Sequence, residues 1–472
     1  MTTRPGAGEP GAAGPGETRL LNPAMLGAAS GAILVPLNST MLAVALPSVM
    51  NDFGVSPAAV ASLVTVYLGA VVIAMPLAGA LGDRLGHRRV FLAGVGAFAL
   101  SSVLAAAAGA FVQLIVARVL QAASGALIST SAVALVRAAA PVRRRGAAFG
   151  LFDMLVTTSA AVGPFIGGLI VSLLDWRWTF LLAAPVAITA ALSVGLWHPS
   201  RTGGEVPLGA PATPRPVDPV GLALLAGLLA ALLALLLDGQ TLALPAGLAL
   251  PALLAALVWW ERRVEHPAID LRLFSRRAYT AAVAGVLGAT VILHATLVLV
   301  PLLVERILRG DALASGLVLL GIFVLSAVAA PIGGRWSDRV GRRAPAVIGS
   351  VITALGFGIL WLYVASNGTT GASLAILALL LGAVGVGFGL AGSPRQTAAL
   401  ESVGGAEVGM AASTYYTGRY LGGVVGASLA GLVLGGAVTA GGISLGFAIL
   451  SAVAVAVAIV SLGLPGQATV AR

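Results

Sequence analysis

The stretch Gly79-Ala-Leu-Gly-Asp83-Arg84-Leu-Gly86-His-Arg88-Arg89 occurs in a second version later in the chain. The second copy reads Gly334-Arg-Trp-Ser-Asp338-Arg339-Val-Gly341-Arg-Arg343-Ala, and its matching residues keep a constant offset from the first. Each copy follows one long apolar run and precedes another. The repeat therefore predicts two duplicated halves, an arrangement typical of transporters that bind their substrate between the halves.

The composition indicates a protein surrounded by lipid rather than water. The 472 residues are 58% hydrophobic and 9% charged, and the mean hydropathy is +1.02. A soluble domain carries about 25% charged residues, because its surface must face water. The chain therefore has too few charges for a water-exposed surface, and we expect most of its surface to contact the bilayer.

Several kinds of chemistry are excluded by what the sequence lacks. There is no cysteine, so disulfides and Cys-based metal sites are absent. There is also no lysine, so the ATP-binding loop G-x-x-x-x-G-K-[ST] is missing. The histidines are scattered without metal-binding spacing. We therefore expect no metal, no other cofactor and no ATP. The four histidines are His87, His198, His266 and His294.

Apolar segments run almost end to end, and we count fourteen that reach the roughly 20 residues needed to cross a bilayer. The predicted fold is an all-α membrane protein with two six-helix bundles and two inserted spans. The predicted parts are a disordered cytoplasmic tail (1–21), an N-terminal bundle (22–198), a cytoplasmic linker (199–217), an inserted helix pair (218–260), a second cytoplasmic linker (261–277), a C-terminal bundle (278–464) and a cytoplasmic tail (465–472).

The arginines predict the orientation of the chain. All 27 cationic side chains are arginines, and the formal net charge is +10. With the N-terminus inside, all but five of the arginines fall on the cytoplasmic side, as the positive-inside rule requires. Arg395 is among those predicted to be cytoplasmic. We therefore predict a cell (inner or plasma) membrane protein with both termini cytoplasmic, and no nucleic-acid partner. The exceptions are Arg177, Arg306 and Arg309 outside, and Arg118 and Arg419 within spans.

Three further motifs lie within the predicted spans, and together with the repeated loop they resemble the major facilitator superfamily. More narrowly, they resemble its fourteen-span drug:proton antiporter branch, the multidrug efflux type. The similarity extends from about Pro23 to Leu464, and it implies export of small organic compounds in exchange for protons. The motifs are Leu37-Asn38-Ser-Thr40-Met-Leu-Ala-Val-Ala-Leu46-Pro47, Arg118-Val-Leu-Gln121-Ala-Ala-Ser-Gly125 and Gly163-Pro164-Phe-Ile-Gly167-Gly168.

One departure from this family bears on the mechanism. Asn38 stands where the family usually carries an aspartate, which is a candidate proton carrier there. An amide does not titrate in the accessible pH range, so Asn38 cannot serve in that way. If transport is proton-driven, another group must load and release the proton.

The two loop copies are candidate gates. Their glycines permit a tight turn, and their aspartates can accept hydrogen bonds at a helix N-terminus or pair with arginines. The alternative is a plain turn whose arginines only anchor the topology. We favour a latch, because two copies of an Asp-Arg pair exceed what anchoring requires. The candidate gating residues are Gly79, Asp83, Arg84, Gly86 and Arg88, with Gly334, Asp338, Arg339, Gly341 and Arg343.

Arg118 is the charged residue that most clearly predicts a transport site. A charge within a span costs at least about 2.5–3.5 kcal/mol, so it should face the interior or water. Asn38 lies at a similar depth, and Gln121 lies one helical turn from Arg118. We expect these three polar side chains to share hydrogen bonds near the centre of the first half.

Two titratable groups are candidates for carrying the proton. Asp153 lies within the fifth span, where an intramembrane carboxylate is by default a functional candidate. Its alternative role is pairing with Arg143 to Arg145 near the aqueous boundary. His294 lies late in the seventh span of the two bundles, and its ordinary pKa of about 6.5 suits proton transfer. A lone histidine near a helix end is also commonly a hydrogen-bonded interior residue.

Two other groups complete the candidate site. Gly163, Pro164, Gly167 and Gly168 form the antiporter motif, in which proline bends the helix and glycines allow close packing. Arg419 should face the central cavity with Tyr415 and Tyr416, and these aromatics suit flat or cationic ligands or ordinary packing.

We interpret the chain as a secondary active transporter that exports small, hydrophobic organic compounds or drugs by proton antiport. Its expected partners are a small-molecule substrate, protons and the lipid bilayer, and we expect a monomer. Alternatives are a facilitator or symporter of the same fold, or a flippase for lipids or lipid conjugates. A membrane enzyme or a sensor is disfavoured, because the loops carry no acidic or histidine cluster and no soluble output domain.

The topology can be tested with reporter fusions. A fusion at Gly204 should report a cytoplasmic location, and a fusion at Gly368 should report an external one, because an odd number of predicted spans separates them. The opposite result at either position would contradict the predicted orientation.

Overall fold

The computed structural model describes residues 23–139, 145–196, 218–237, 243–264, 271–367, 373–403, 408–435 and 437–466. Every regular element within these ranges is helical. Helices satisfy their own backbone hydrogen bonds, which is a requirement for spans in lipid. The predicted tail 1–21, the linker 199–217 and most of the tail 465–472 lie outside the described residues.

Seven helices make up the first half. The predicted sixth span is divided between a short helix and a longer one. The helices are α1 (Pro23–Phe53), α2 (Pro57–Leu85), α3 (His87–Ala106), α4 (Phe111–Ala139), α5 (Arg145–Leu173), α6 (Trp178–Leu181) and α7 (Ala183–Leu196).

The remaining helices form the inserted pair and the second half. A short 3-10 helix, Leu271–Ser275, lies in the second predicted linker, and a π-helical segment, Leu303–Ile307, extends α10. The inserted pair is α8 (Pro219–Leu237) and α9 (Ala243–Glu261). The second half is α10 (Arg277–Leu302), α11 (Ala312–Val340), α12 (Arg343–Asn367), α13 (Leu374–Glu401), α14 (Val408–Leu434) and α15 (Ala440–Ser461).

The two halves repeat one packing pattern. In the first half, α1 packs on α5 and α7, while α4 packs on α2 and α3. In the second half, α10 packs on α14 and α15, while α13 packs on α11 and α12. Helices at the same position in the two halves therefore make the same contacts. The duplicated all-α architecture predicted from the loop repeat is confirmed.

The inserted pair lies against the outside of this arrangement. The helices α8 and α9 pack on each other, and α8 also contacts α2 of the first half and α14 of the second. Leu222, Leu225 and Leu257 form a small apolar cluster there with Val72 of α2. The pair thus covers a place where the two halves meet.

The number of spans agrees with the prediction. Within the described residues, eleven helices are long and apolar enough to cross a membrane. Three shorter apolar helices, Thr158–Leu173, Pro219–Leu232 and Pro245–Glu261, coincide with the other predicted spans.

Two predicted spans, Ser373–Gly392 and Ala278–Val304, end earlier than the helices that contain them. The helix α13 continues past Gly392 to Glu401, so Arg395 lies buried inside a helix rather than in a cytoplasmic loop. The helix α10 is extended by its π-helical segment to Ile307, which includes Glu305. In each case a proline near the end of the apolar run, Pro394 or Pro301, is accommodated within the helix.

The halves meet closely on one side of the molecule. We call the side that carries the turn at residues 54–56 the outer side, in line with the predicted orientation, and the opposite side the inner side. A methyl group on Gly168 of α5 would lie 2.5 Å from the carbonyl oxygen of Ala312 at the start of α11. Gly316 of α11 lies against the carbonyl of Pro164 in the same way.

A second contact closes the outer side between α2 and α14. The hydroxyls of Thr65 and Ser428 are hydrogen-bonded at 3.2 Å. Arg306, at the outer end of the π-helical segment, donates to the side-chain oxygen of Asn51 at the end of α1. We call the α5–α11 and α2–α14 contacts together the outer seam.

The outer seam should open when side chains are added at its glycines. Because Gly316 leaves no room for a methyl group beside Pro164, Gly316→Ala should push α5 and α11 apart and expose the seam to the outside. The chain has no cysteine, so opening of the seam can be followed with a single Ala427→Cys, which lies buried beside Ser428. This cysteine reacts with a membrane-impermeant maleimide only when it becomes accessible. We expect Gly316→Ala to increase its labelling rate from outside several-fold.

The matched control is Gly96→Ala on α3, where a methyl group would meet nothing within 4 Å. This variant should leave the labelling rate unchanged. Equal rates in the two alanine variants would show that the glycine contact does not hold the seam closed.

Candidate functional site

Arg118 lies at the centre of a buried polar cluster in the first half. Its guanidinium is 0% exposed. The Nη1 atom donates to Oδ1 of Asn38 and to Oε1 of Gln121, both at 2.6 Å. Nε2 of Gln121 in turn donates to the hydroxyl of Ser102 at 2.8 Å. The structure thus brings together the three residues that the sequence placed at one depth, on α1 and α4, and adds Ser102 from α3.

Aromatic rings enclose the same guanidinium. The Cζ atom of Arg118 lies 4.0 Å from the centre of the Tyr67 ring and 6.0 Å from that of Phe180. A desolvated cation over an aromatic face gains about 2 kcal/mol or more. Gly125 lies near the hydroxyl of Tyr67, since a methyl group on this glycine would lie 3.5 Å from it.

The cluster contains a cation but no described acid. Among the described residues, no carboxylate lies within ion-pair distance of Arg118. Three buried polar atoms there also lack a hydrogen-bond partner: Nε of Arg118, Nδ2 of Asn38 and the hydroxyl of Tyr67. Each unpaired buried polar group costs about 1–3 kcal/mol. The cluster therefore retains unsatisfied donors around one positive charge.

The side chain of Asp153 lies outside the described residues, so its role as a proton carrier and its alternative pairing with Arg143 to Arg145 remain predictions. Its backbone belongs to α5, about two turns from the helix start at Arg145. That depth agrees with the inner half of the span.

A second carboxylate is present that the sequence reasoning did not place in a span. Glu305 is half-buried in the π-helical segment, and its Oε1 accepts a hydrogen bond from the hydroxyl of Ser315 at 3.1 Å. Ser315 directly precedes Gly316 of the outer seam, and Arg306 bonds Asn51 across the halves. Single π turns within helices are frequent at functional sites. The carboxylate therefore lies beside the closed seam.

The second half contains its own buried arginine. Arg395 of α13 is 3% exposed, and its Nη2 donates to the hydroxyl of Ser350 on α12. Its Nε has no partner, and no described carboxylate lies within ion-pair distance. Gly285 of α10 makes room for it, since a methyl group there would lie 3.0 Å from the arginine Cδ. Ala398 and Ala399 follow Arg395 at helical spacing. This pattern could have shown from the sequence that the helix continues through Arg395 and buries it.

His294 and the α14 residues lie where α10 meets α14. Nδ1 of His294 lies 3.0 Å from the carbonyl oxygen of Thr290, and its ring approaches Gly423. This is the contact expected of a hydrogen-bonded interior histidine. Tyr415 is buried, whereas Tyr416 and Arg419 are exposed. The three cavity candidates therefore do not share one environment.

The glycines of the two loop copies adopt the same special backbone conformation. Gly86 has φ 88° and Gly341 has φ 89°, in the region that L-residues with side chains rarely adopt. Each ends the second helix of its half and begins the third. The repeated glycine is thus required by the turn itself.

The matching arginines Arg88 and Arg343 each stabilise their own half. Nη2 of Arg88 donates to the carbonyl of Gly195 at 2.8 Å, near the end of α7. Nε of Arg343 donates to the carbonyl of Leu464 at 2.9 Å, just after α15. Both arginines therefore satisfy carbonyls at the end of the sixth span, where helical partners are missing.

The other charged loop residues differ between the copies. Asp338 accepts a hydrogen bond from Arg342 at 2.7 Å, and Arg342 also donates to Glu401 at 2.8 Å. Hydrogen bonding to Glu401 raises the pKa of Arg342 above its ordinary value. Arg84 and Arg339 are exposed, and the side chain of Asp83 lies outside the described residues.

The absence of an acid beside Arg118 can be tested by adding one. Asn38→Asp should place a carboxylate 2.6 Å from the guanidinium and convert an amide contact into an ion pair. Because the buried cation is already desolvated, we expect the melting temperature of the detergent-solubilised protein to rise by roughly 2 °C or more. Asn38→Leu should lower it. A fall with Asn38→Asp would mean that the cluster already has a compensating negative charge.

Comparisons with known proteins agree with this architecture. The sequence model described as Major Facilitator Superfamily matches residues 28–427 and 280–469. Among solved structures, a peptide transporter, POT, in complex with sulfate superposes with a TM-score of 0.71 at 16% identity and covers 93% of each chain. A D-xylose-proton symporter gives a TM-score of 0.67 at 16% identity, over 94% of this chain and 97% of the other.

Curated relatives are similar in sequence as well. The uncharacterized MFS-type transporter YvkA of Bacillus subtilis (strain 168) is 30% identical over 93% of this chain and 95% of its own. The Tetracenomycin C resistance and export protein of Streptomyces glaucescens is 31% identical over 70% of this chain and 62% of its own. The multidrug resistance protein B homolog of Mycobacterium tuberculosis (strain ATCC 25618 / H37Rv) is 29% identical over 84% and 73%. The chain is a multi-pass membrane transporter that belongs to the Major Facilitator Superfamily.

Proposed function

We propose that this transporter belongs to the fourteen-span drug:proton antiporter branch and exports small organic compounds in exchange for protons. The observation that carries the proposal is the accessible guanidinium of Arg419, which lies inward of a closed outer seam. A polar group exposed from one side only is what alternating access between two halves requires. The inserted pair α8 and α9 supplies the two spans beyond the twelve of the duplicated halves.

Export is supported by the relatives. Proteins named for tetracenomycin C export and for multidrug resistance share about 30% of their residues with this chain. The arginine asymmetry agrees with a cytoplasmic inner side, so the described conformation would take up its compound from the cytoplasm. The chain would then act as a monomer within the cell membrane.

The repeated loops and the antiporter motif would control the two sides in turn. Gly163, Pro164, Gly167 and Gly168 let α5 pack tightly, and Gly168 contacts α11 across the outer seam. The loop copies lie at the opposite, inner end of the spans. We assign the glycine motif to closing the outer side and the loop acids to latching the inner side.

Proton coupling needs a group that changes charge between the two sides. Asn38 does not titrate, and Arg118 keeps its charge, so the pair at the centre of the first half cannot carry the proton. Asp153 and Glu305 are the two carboxylates placed along α5 and α10. In this scheme Asp153 carries the proton within the span, and Arg118 acts as a fixed positive charge.

A facilitator or symporter is the second candidate, and one observation favours it. Arg118 is bonded to the amide of Asn38, where the family usually has an acid. Without a titrating group at that position, transport could proceed without a proton counterflow. Proton flux measured with and without substrate separates this case from antiport.

The two carboxylates give different expectations under antiport. Asp153→Asn should abolish pH-driven uptake into inverted vesicles and spare substrate binding, because it removes the proton carrier alone. Glu305→Gln should reduce the rate less, since its carboxylate lies at the outer end of the pathway. The measurement is substrate uptake with an imposed pH gradient, together with binding to the purified protein.

Asp175→Asn serves as the matched control, because this acid lies in an outer loop and pairs with Arg177 at the surface. It should transport normally. Normal proton-coupled transport by Asp153→Asn would exclude that carboxylate, and loss of coupling in Glu305→Gln would then move the proton site to the outer seam. Coupled transport by both variants would leave His294 as the remaining candidate for the proton carrier.

A further inference from the structure

Arg419 faces the interior of the transporter rather than lipid. On α14, a methyl group on Gly422 would meet Leu287 and Thr290 of α10, and one on Gly423 would meet Leu68 of α2 and His294 of α10. At about 100° per residue, Arg419 lies between these two faces. The exposed apolar residues Val425 and Leu432 lie on another side of the helix, so that side is the lipid-facing one.

The depth of Arg419 places it within an inner vestibule. It lies about 13 Å inward of Ser428, at 1.5 Å per residue along the helix. Ser428 belongs to the closed outer seam, and Arg419 is exposed further inward, between helix faces that contact α10 of one half and α2 of the other. Arg419 is therefore available to a compound that enters from the inner side.

Two neighbouring groups share this vestibule with Arg419. Tyr416, one helical turn further inward, is 37% exposed. Its hydroxyl accepts a hydrogen bond from Nε2 of Gln396 on α13 at 3.2 Å. The available surface thus combines a guanidinium, the face of a phenol ring and an amide. Such a surface suits a flat ring system that carries a hydrogen-bonding group.

The charges around the vestibule are positive. Arg118 and Arg395 are buried without a described carboxylate within ion-pair distance, and Arg419 adds a third cation. The half-buried acid Glu305 lies beside the outer seam and accepts a hydrogen bond from Ser315. Charges separated from water by protein and lipid interact strongly, because the local dielectric constant is low.

Toward the inner end, the other acids whose side chains the structure describes lie away from the vestibule or are already paired. Asp338 and Glu401 are both bound by Arg342 at the inner surface. Asp218 accepts hydrogen bonds from Trp260 and from the first amides of α8, at the inner end of the inserted pair. Glu261 lies in the same region, beside Gly221. None of these described acids neutralises Arg419.

We propose that the compound transported is a flat organic anion, whose carboxylate, sulfonate or phenolate pairs with Arg419 while its ring packs on Tyr416. The assignment rests on the proposed function and specifies its substrate class. A cation would meet the repulsion of three arginines, whereas an anion gains a charge-assisted hydrogen bond, which is about twice as strong as a neutral one. A neutral compound gains the ring contact alone.

Binding to the purified protein tests the charge preference. Three probes with one ring system differ only in charge: 2-naphthoate, its methyl ester and a naphthylmethyl trimethylammonium ion. Thermal stabilisation of the detergent-solubilised protein should reach half its maximum at a concentration about tenfold lower for the acid than for the other two. Equal responses to the three probes, a preference for the cation, or no response to the acid would overturn the assignment.

Variants of Arg419 test the residue itself. Arg419→Gln should weaken 2-naphthoate binding about tenfold and leave the ester unchanged, whereas Arg419→Lys should retain most of the preference. The control is Arg309→Gln, which removes one exposed arginine on the outer side and should bind like the unmodified protein. Loss of the preference in the control, or its retention in Arg419→Gln, would exclude a site at Arg419.

Transport in proteoliposomes separates this inference from the proposed function. Binding of the acid with no transport of it would contradict the exporter and leave the anion site standing. Transport of the ester or the cation with no binding of the acid would support the exporter and overturn the anion site.

Discussion

Close approach of helix backbones is the constraint on which this structure depends. Lipid is as apolar as leucine, so helices in a membrane gain little from burying apolar side chains against one another. Their association depends on van der Waals contact and interhelical hydrogen bonds, which small residues permit. The chain contains 62 glycines, and those of α5, α11 and α14 lie where one helix touches the next. The outer seam consists of such contacts, with the Thr65–Ser428 hydrogen bond added.

This packing also explains how the chain tolerates buried arginines. Gly285 leaves room beside Arg395, and Gly125 leaves room for Tyr67, whose ring covers Arg118. Each guanidinium reaches neutral partners. Amide oxygens, a hydroxyl and an aromatic face reduce the cost of desolvation, but they do not cancel the charge. The interior of the described protein is consequently electropositive.

The sequence predicted the fold well because the information was local and repeated. The loop copies around Asp83 and Asp338 identified the duplication, and hydropathy with arginine placement gave the spans. The grouping of Arg118 with Asn38 followed from counting residues along two helices. Arg395 and Glu305 were missed, because the predicted spans ended with the apolar runs, just before these residues. Whether a helix continues past the end of an apolar run depends on its neighbours, and the sequence does not state which neighbours those are.

The duplication is not symmetrical at the inner surface, and the difference bears on the latch. Arg342 of the second copy binds Asp338, Glu401 and the hydroxyl of Ser337, so this acid is neutralised within its own half.

The corresponding positions of the first copy hold His87 and Gly82, and the histidine ring lies against that glycine. An imidazole lacks the set of N–H donors with which a guanidinium can bind two acids at once. The first copy therefore lacks the arginine that binds Asp338 in the second copy. In the second copy the acid is held within its own half by Arg342, so the two copies share the turn at Gly86 and Gly341 but not the ion pairs around it.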